Sequence, residues 1–265
     1  MLIPRVMNFY WGGGNLSYLQ YLTVFSFNKF NPLWKIVLHT PTVTSNEITW
    51  VTDEQKAQYF GPNYLDELKS LHYVNVNIVD FEEIGFFNNV PEVFKSDYLR
   101  WYLLSTQGGG WSDMDILYVK PLNELIEVNT ESLVCLREYG NIIGFLLSKP
   151  NNQLFKRLLD NSFRYFNHND YQSIGSKLMN IFYPKEVDLF YEFPNTKNIH
   201  MDSFYKINHE NISDLFNENK INLITDDVIG IHWYNGSSIS KSFNNQYPES
   251  SNIDCTINEI LKKIA

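Results

Sequence analysis

The compact apolar run Trp34–Leu38 shows no polar–apolar alternation, and this constrains the fold more than any other stretch of the chain. A strand without a polar face must be covered on both sides, as in a parallel sheet layered between helices. The neighbouring segments agree. Arg5–Tyr10 reads as a short strand that runs into a loop at Trp11, Gly12, Gly13 and Gly14. Leu16, Leu19, Tyr21, Leu22, Phe25 and Phe27 crowd a helix-length segment that stops near Asn31-Pro32. Val74, Val76, Ile78 and Phe81 alternate through a further strand. Glu92–Thr106 is helical in pattern, with Pro91 placed for a helix start and Gly108 for a C-cap. Strands alternating with helices predict an α/β fold with a mostly parallel central sheet and helices on its faces. Ligands of such sheets bind beyond the carboxyl ends of the strands.

The remaining elements are less regular. Leu133–Leu136 and Ile142–Leu147 read as strands, Gln153–Phe166 and Ile174–Phe182 as helices. Residues 183–220 are mixed and polar, and predict a smaller mixed C-terminal part. Ile221–Ile224 and Val228–Trp233 read as late strands, and Ile257–Ala265 as a terminal helix capped by Thr256.

Composition narrows the function. The chain has 265 residues, enough for one domain with a large core. A hydrophobic content of 44% argues for a folded globular protein. A formal charge of −9 speaks against a nucleic-acid backbone or an anionic membrane surface as partner. Cys135 and Cys255 lack metal-site or disulfide spacing, and no signal peptide or membrane-spanning apolar run is evident. A cytoplasmic setting is therefore expected, in which the sequons at Asn15, Asn211 and Asn235 carry no glycan.

The chemistry concentrates at Asp113 and Asp115, which follow Gly108, Gly109, Gly110 and Trp111 and precede the apolar segment Ile116–Val119. In an extended chain, residues i and i+2 point to one side, so the two carboxylates can converge on one small cation. Hard oxygen ligands suit Mn²⁺ or Mg²⁺ holding a diphosphate. On the preceding helix, Ser96 and Arg100 stand at i,i+4 and Asp97 and Arg100 at i,i+3. These either form a helical salt bridge worth about 0.3–0.5 kcal/mol or face the same ligand as the carboxylates.

Ser96-Asp97-Tyr98-Leu99-Arg100, then Gly109-Gly110-Trp111-Ser112-Asp113-Met114-Asp115, then Lys120-Pro121-Leu122 resembles the DXD-motif glycosyltransferases of the GT-A fold. The relatives in view are the family 32-like enzymes: yeast α-mannosyltransferases, α-1,4-galactosyltransferases and clostridial glucosylating toxins. The opening Ile3-Pro4-Arg5-Val6-Met7-Asn8-Phe9-Tyr10-Trp11 is similar to that family's Ile-Pro-Lys-x-Ile-His-x-x-Trp, with Asn8 in place of the usual His. Ile231-His232-Trp233, followed by Gly236-Ser237, resembles the closing region.

The resemblance implies a GT-A, Rossmann-like fold and one domain over 1–265. That domain would comprise a nucleotide-sugar half (1–122), an acceptor-side half (123–240) and a C-terminal tail and helix (241–265). It implies catalytic roles for Asp97, Arg100, Asp113 and Asp115, and a metal held by Asp113, Asp115 and His232. Tyr10 and Trp11 would line the nucleobase pocket, with Ser96, Trp111 and Trp233 on the nucleotide sugar. The segments at Asn141 and Gln172 would flank donor sugar and acceptor. Glu138 is a further acidic candidate, most simply explained as a surface residue. The implied activity is metal-dependent, retaining transfer from a UDP-sugar to a glycan, lipid-linked or protein acceptor. The competing readings are a catalytically weak nucleotide-sugar or glycan binder, and a metal-dependent phosphohydrolase. The intact Asp113/Asp115 pair argues against the first, and the lack of further clustered carboxylates and histidines argues against the second.

Overall fold

The computed structural model describes residues 2–45, 58–127, 129–136 and 141–264. Glu138 lies outside the described residues. The first half runs β1 (Val6–Tyr10), α1 (Tyr18–Phe30), β2 (Lys35–Pro41), α2 (Leu65–Ser70), β3 (Val74–Val79), α3 (Glu92–Thr106), β4 (Gly109–Ser112) and β5 (Ile116–Tyr118). The second half continues with β6 (Ser132–Cys135), β7 (Ile142–Ser148), α4 (Gln153–Tyr165), α5 (Ser176–Phe182), α6 (Glu186–Glu192) and β8 (Thr196–Asn198). It closes with α7 (Asp202–Tyr205), α8 (Ser213–Phe216), β9 (Gly230–His232), α9 (Ser238–Asn245) and α10 (Thr256–Ile264).

A seven-stranded sheet has the order β3-β2-β1-β4-β7-β6-β8. β3, β2, β1 and β4 are mutually parallel. β7 runs antiparallel to both β4 and β6, and β6 and β8 are parallel. The expected mostly parallel α/β sheet is present. One of its faces packs Met7, Phe9, Ile36 and Leu38 against Val24 and Phe27 of α1. The other packs Tyr10, Trp111 and Leu146 against Phe94, Trp101 and Leu104 of α3 and Phe155 of α4. β5 and β9 form a separate antiparallel ribbon, under which a third cluster joins Leu19, Leu22, Leu117, Ile231, Trp233 and Ile260.

Local signals set the helices that matter for the site. Ser17 and Gln20 form a capping box: Ser17 Oγ accepts from the Gln20 N–H, and Gln20 Oε1 accepts from the Ser17 N–H at 2.7 Å. α3 begins after Pro91 and ends where Gly108 turns into the left-handed region at φ 69°, its N–H donating to the Leu103 carbonyl. Gly109 follows at φ 95°, and a Cβ there would stand 2.7 Å from the Val6 carbonyl oxygen. Only glycine lets β4 enter the sheet this close to β1.

Several sequence expectations are corrected. Ile221–Leu223 is a single 3₁₀ turn, because its apolar side chains pack into the third cluster without a strand partner among the described residues. The late strand at Val228–Trp233 shortens to β9, and the helix from Ile174 begins at Ser176. Thr256 lies inside α10, and its hydroxyl donates to the carbonyls of Asp214 and Glu218 rather than capping the helix. β3 is an edge strand whose Val76 and Ile78 are exposed, so its alternation does not mark a buried face. Residues 183–220 hold three short helices and a 3₁₀ turn, and they add edge strand β8. Among the described residues, no helix is long and apolar enough to cross a membrane.

Candidate active site

Asp113, Met114 and Asp115 do not lie in a strand. β4 ends at Ser112 and β5 starts at Ile116, and the three residues turn the chain between them. The carboxylates therefore converge through a turn, not through the strand alternation expected of i and i+2. The Asp113 N–H donates to the Gly144 carbonyl at 2.8 Å, which extends the β4–β7 ladder by one residue and fixes where the turn starts.

Arg100 sits behind this turn. Its Nη1 donates to the Ile143 carbonyl at 3.0 Å and its Nη2 to Asp113 Oδ1 at 3.0 Å. Nη2 also lies 3.4 Å from Asp97 Oδ1. The guanidinium is stacked over Trp111, 5.0 Å from the ring centroid, and Trp111 Nε1 donates to the same Asp113 Oδ1 at 2.9 Å. Arg100 is 3% exposed and Asp97 5%. This burial rules out the surface salt-bridge account of the helix. Exposed pairs are worth under about 1 kcal/mol, whereas stripping a partner from a buried one costs about 3–5 kcal/mol. Burial pushes the Asp97 carboxyl up to about 7, against the pull of Arg100 and with a further push from Asp113. Arg100 Nε is buried without a partner among the described residues.

The second half of the site arrives from the end of the chain. Ile116 pairs with His232 across the β5–β9 ribbon, which brings His232 Nε2 to 3.2 Å from Asp115 Oδ1. The Asn235 N–H donates to Asp115 Oδ2 at 2.9 Å, and Lys241 Nζ donates to Asn235 Oδ1 at 3.0 Å. Burial alone would push the Asp115 carboxyl up. His232, the Asn235 N–H and Lys241 together hold it below the usual carboxylate range. Burial lowers Lys241 to about 8, against the pull of Asp115.

Asp113, Asp115 and His232 each offer one ligand atom, all within 4.8 Å of one another. The set fits a divalent cation. Two ligands at right angles with bonds of about 2.1 Å stand about 3 Å apart, which is the spacing of His232 and Asp115.

Asp113 and Asp115, with His232 behind them, border a cavity of about 340 Å³ beyond the carboxyl ends of β1 and β4, whose lining does not include His232. Tyr10, Trp11, Ser96, Asp97, Arg100, Trp111, Asp113 and Asp115 all line it, so one space gathers eight residues expected from the sequence. Its wall also includes Gln20, Glu92, Asn235 and Gly236, which sequence reasoning missed. Glu92 accepts a hydrogen bond from the Tyr10 hydroxyl and pairs with the fully buried Lys95 at 2.8 Å. Burial, reinforced by Glu92, holds the Tyr10 phenol far above its ordinary range. Gln20 is the capping-box partner of Ser17 at the start of α1, and Gly236 stood in the closing motif without a role.

Three expected residues lie elsewhere. Trp233 is fully buried in the third cluster and its Nε1 donates to Thr23 Oγ1, which takes its ring out of reach of a nucleotide. Asn141 is tied to α5 and its end, accepting nothing from the cavity: its N–H donates to Asn180 Oδ1 and its side chain to the Tyr183 carbonyl. Gln172 Nε2 donates to the Tyr171 hydroxyl, but the turn it opens reaches Gly175, where a Cβ would stand 2.3 Å from Asp97 Oδ2. That turn packs against the site although Gln172 does not line the cavity. Asn8, in the place of the usual His, is a structural link. Its Nδ2 donates to the Gly110 carbonyl at 2.9 Å, and its Oδ1 pairs with Nε2 of His39 on β2 at 2.9 Å.

Residues 23–131 match the family described as glycosyltransferase sugar-binding region containing DXD motif. The matched region is that of a DXD-containing glycosyltransferase. The matched span holds Ser96, Asp97, Arg100, Trp111, Asp113 and Asp115, and leaves Trp11 and His232 to the flanking sequence. No curated protein matches this glycosyltransferase in sequence. Among solved structures, it is similar to the PaToxG glycosyltransferase at 18% identity, over 73% of this chain and 70% of that one, with a TM-score of 0.51. This likeness shows a shared GT-A fold. The galactosyltransferase LgtC, solved with donor and acceptor sugar analogs, is similar at 13% identity over 98% and 95% of the two chains, with a TM-score of 0.46. GlyE of Streptococcus pneumoniae TIGR4 is similar at 15% identity over 87% of this chain and 54% of that one, with a TM-score of 0.45.

Proposed function

We propose that this glycosyltransferase is metal-dependent and retaining, and that it moves a sugar from a UDP-sugar to a glycan-type acceptor. The observation that carries the metal dependence is the convergence of Asp113, Asp115 and His232 within 4.8 Å. These three residues would hold Mn²⁺ or Mg²⁺. A divalent cation there supplies Lewis-acid neutralisation of the charge on the departing diphosphate.

The rest of the reaction falls to the chain's own groups. Tyr10 and Trp11 offer ring faces to the nucleobase at the cavity wall. The unpartnered Nε of Arg100 is left for a sugar or phosphate oxygen. Lys241, charged below pH of about 8, adds attraction for the diphosphate next to Asn235. Asp97, half protonated near pH 7, orients a sugar hydroxyl by accepting or donating. The bond from the anomeric carbon to the diphosphate oxygen breaks with oxocarbenium character. The acceptor hydroxyl attacks the same face, and its proton passes to the departing oxygen. This front-face course is the working mechanism, since no carboxylate among the described residues is assigned as nucleophile.

In this reading, residues 1–122 are the donor half, 123–240 the acceptor half and 241–265 the tail. Cys135 and Cys255 are both buried, which agrees with a reducing, cytoplasmic setting.

The test is a thermal-shift screen of UDP, GDP, CDP and ADP, each with and without Mn²⁺, followed by mass spectrometry of UDP-sugar turnover. UDP with Mn²⁺ is expected to stabilise the protein most. A wild-type protein that shows no metal-dependent response to any nucleotide would falsify this reading.

A further inference from the structure

Tyr205 closes α7 on the protein side of the two aspartates, 3% exposed, and its hydroxyl has no hydrogen-bond partner among the described residues. Buried polar groups are rarely left unmatched, because an unmade hydrogen bond costs stability. The ring itself has packing reasons to be there. It lies against the His232 imidazole with centroids 5.1 Å apart, and its neighbour Phe204 stacks on Phe145 of β7 at 4.2 Å. A phenylalanine would serve that packing equally well.

The hydroxyl instead occupies a gap made for it. Gly144 on β7 faces Asp113 across the extended ladder. A Cβ on Gly144 would stand 2.6 Å from the Tyr205 hydroxyl oxygen and 3.0 Å from Asp113 Oδ2. Any other residue at 144 would therefore push the hydroxyl and the carboxylate aside. Asp113 accepts from the side chains of Arg100 and Trp111 on Oδ1. Oδ2 is the oxygen on the Tyr205 side.

Resting on the metal-centre reading above, we propose that Tyr205 is a positioning residue: its hydroxyl donates toward Asp113 Oδ2, through the gap at Gly144, and orients that carboxylate for the cation. Carboxylates that bind metals need such partners, and removing one typically weakens metal affinity about tenfold or more.

The experiment titrates Mn²⁺ into the purified protein by calorimetry, with no donor sugar, and records thermal stability in the metal-free state. Tyr205→Phe is expected to bind Mn²⁺ about tenfold more weakly while its metal-free stability stays level or rises. A residue with only a packing role would leave the Mn²⁺ affinity within twofold of wild type, and that result overturns the proposal. Gly144→Ala is expected to weaken Mn²⁺ in the wild-type background, and to do so much less in the Tyr205→Phe background. Equal losses in both backgrounds mean that the gap does not serve the hydroxyl, which also overturns it. Wild-type protein without Mn²⁺ or Mg²⁺ binding sinks the metal-centre reading and this proposal together. Wild-type binding with an unaltered Tyr205→Phe sinks the proposal alone.

Discussion

The backbone N–H of Asn235 donates to Oδ2 of Asp115 at 2.9 Å, across 120 residues of chain. This contact, beside His232, completes a site whose other half comes from a single helix–turn unit. The carboxylate is thus already oriented by protein groups on both sides.

Asp115→Ala removes one of the proposed metal ligands and leaves the Asn235 N–H without its acceptor. Wild type with Mn²⁺ and UDP at a hundredfold excess over Kd should gain about 2.7 kcal/mol of apparent stability. That gain should vanish in the variant, while circular dichroism without ligand stays unchanged. A retained Mn²⁺-dependent shift in Asp115→Ala would remove Asp115 from the ligand set.

Arg100→Lys keeps the charge and loses the fork. The Ile143 carbonyl and Asp113 Oδ1, each bonded at 3.0 Å, cannot both be reached by one ammonium in the same place. Unfolding free energy should fall by about 2–3 kcal/mol, and kcat by on the order of 10²-fold from misplacement of Asp113. Urea unfolding and donor hydrolysis measure the two; near-wild-type values for both would mean that Arg100 only supplies charge.

Gly109→Ala should destabilise by about 2 kcal/mol or more. The variant meets a φ of 95° and the Val6 carbonyl oxygen at 2.7 Å together. The urea midpoint should drop without a change in slope. A midpoint equal to wild type would show that β4 can move away from β1 without loss.

His39 gives the fold a pH dependence. Burial lowers it to about 4 from 6.5, and its ring nitrogens are engaged by Asn8 and Asn77. Between about pH 6.5 and 4 the unfolded chain binds a proton that the folded chain refuses. The stabilisation is therefore full above pH 6.5 and is lost as pH falls through this window, by up to about 3 kcal/mol. Asp97, raised to about 7, runs the other way: stability falls as pH rises from the unfolded carboxylate range toward 7. Wild type alone shows the difference of the two. His39→Gln should lose the acid-side decline and leave the Asp97 trend, as read by urea unfolding at pH 7.5, 6 and 4.5. Parallel pH profiles in variant and wild type would contradict this assignment.

Much of the cavity wall was legible in the sequence. The bounds of α3 follow from Pro91 and Gly108, and helix periodicity puts Ser96, Asp97 and Arg100 on one side. Trp111, Asp113 and Asp115 are chain neighbours, so their proximity needs no tertiary knowledge. Trp11 was legible because a strand end in a parallel sheet is a known location for a ligand. Trp233 misled for the opposite reason. Its motif position said nothing about which side of β9 its ring would take, and packing against Thr23 decided that it belongs to the core.

The sequence by itself determined the alternating strands and helices of the first half, and the closeness of Asp113 to Asp115, though not the turn through which they meet. These rest on interactions among residues close in the chain: hydrogen bonds within helices, caps, and glycine backbone angles. Only the tertiary structure decided that His232 and Asn235 reach Asp115, and that Tyr205 lies across the gap at Gly144 from Asp113. The register of β5 on β9 places His232 opposite Ile116, and the missing Cβ at Gly144 admits Tyr205. Both depend on burial and strand pairing between segments far apart in the chain, which no local pattern encodes.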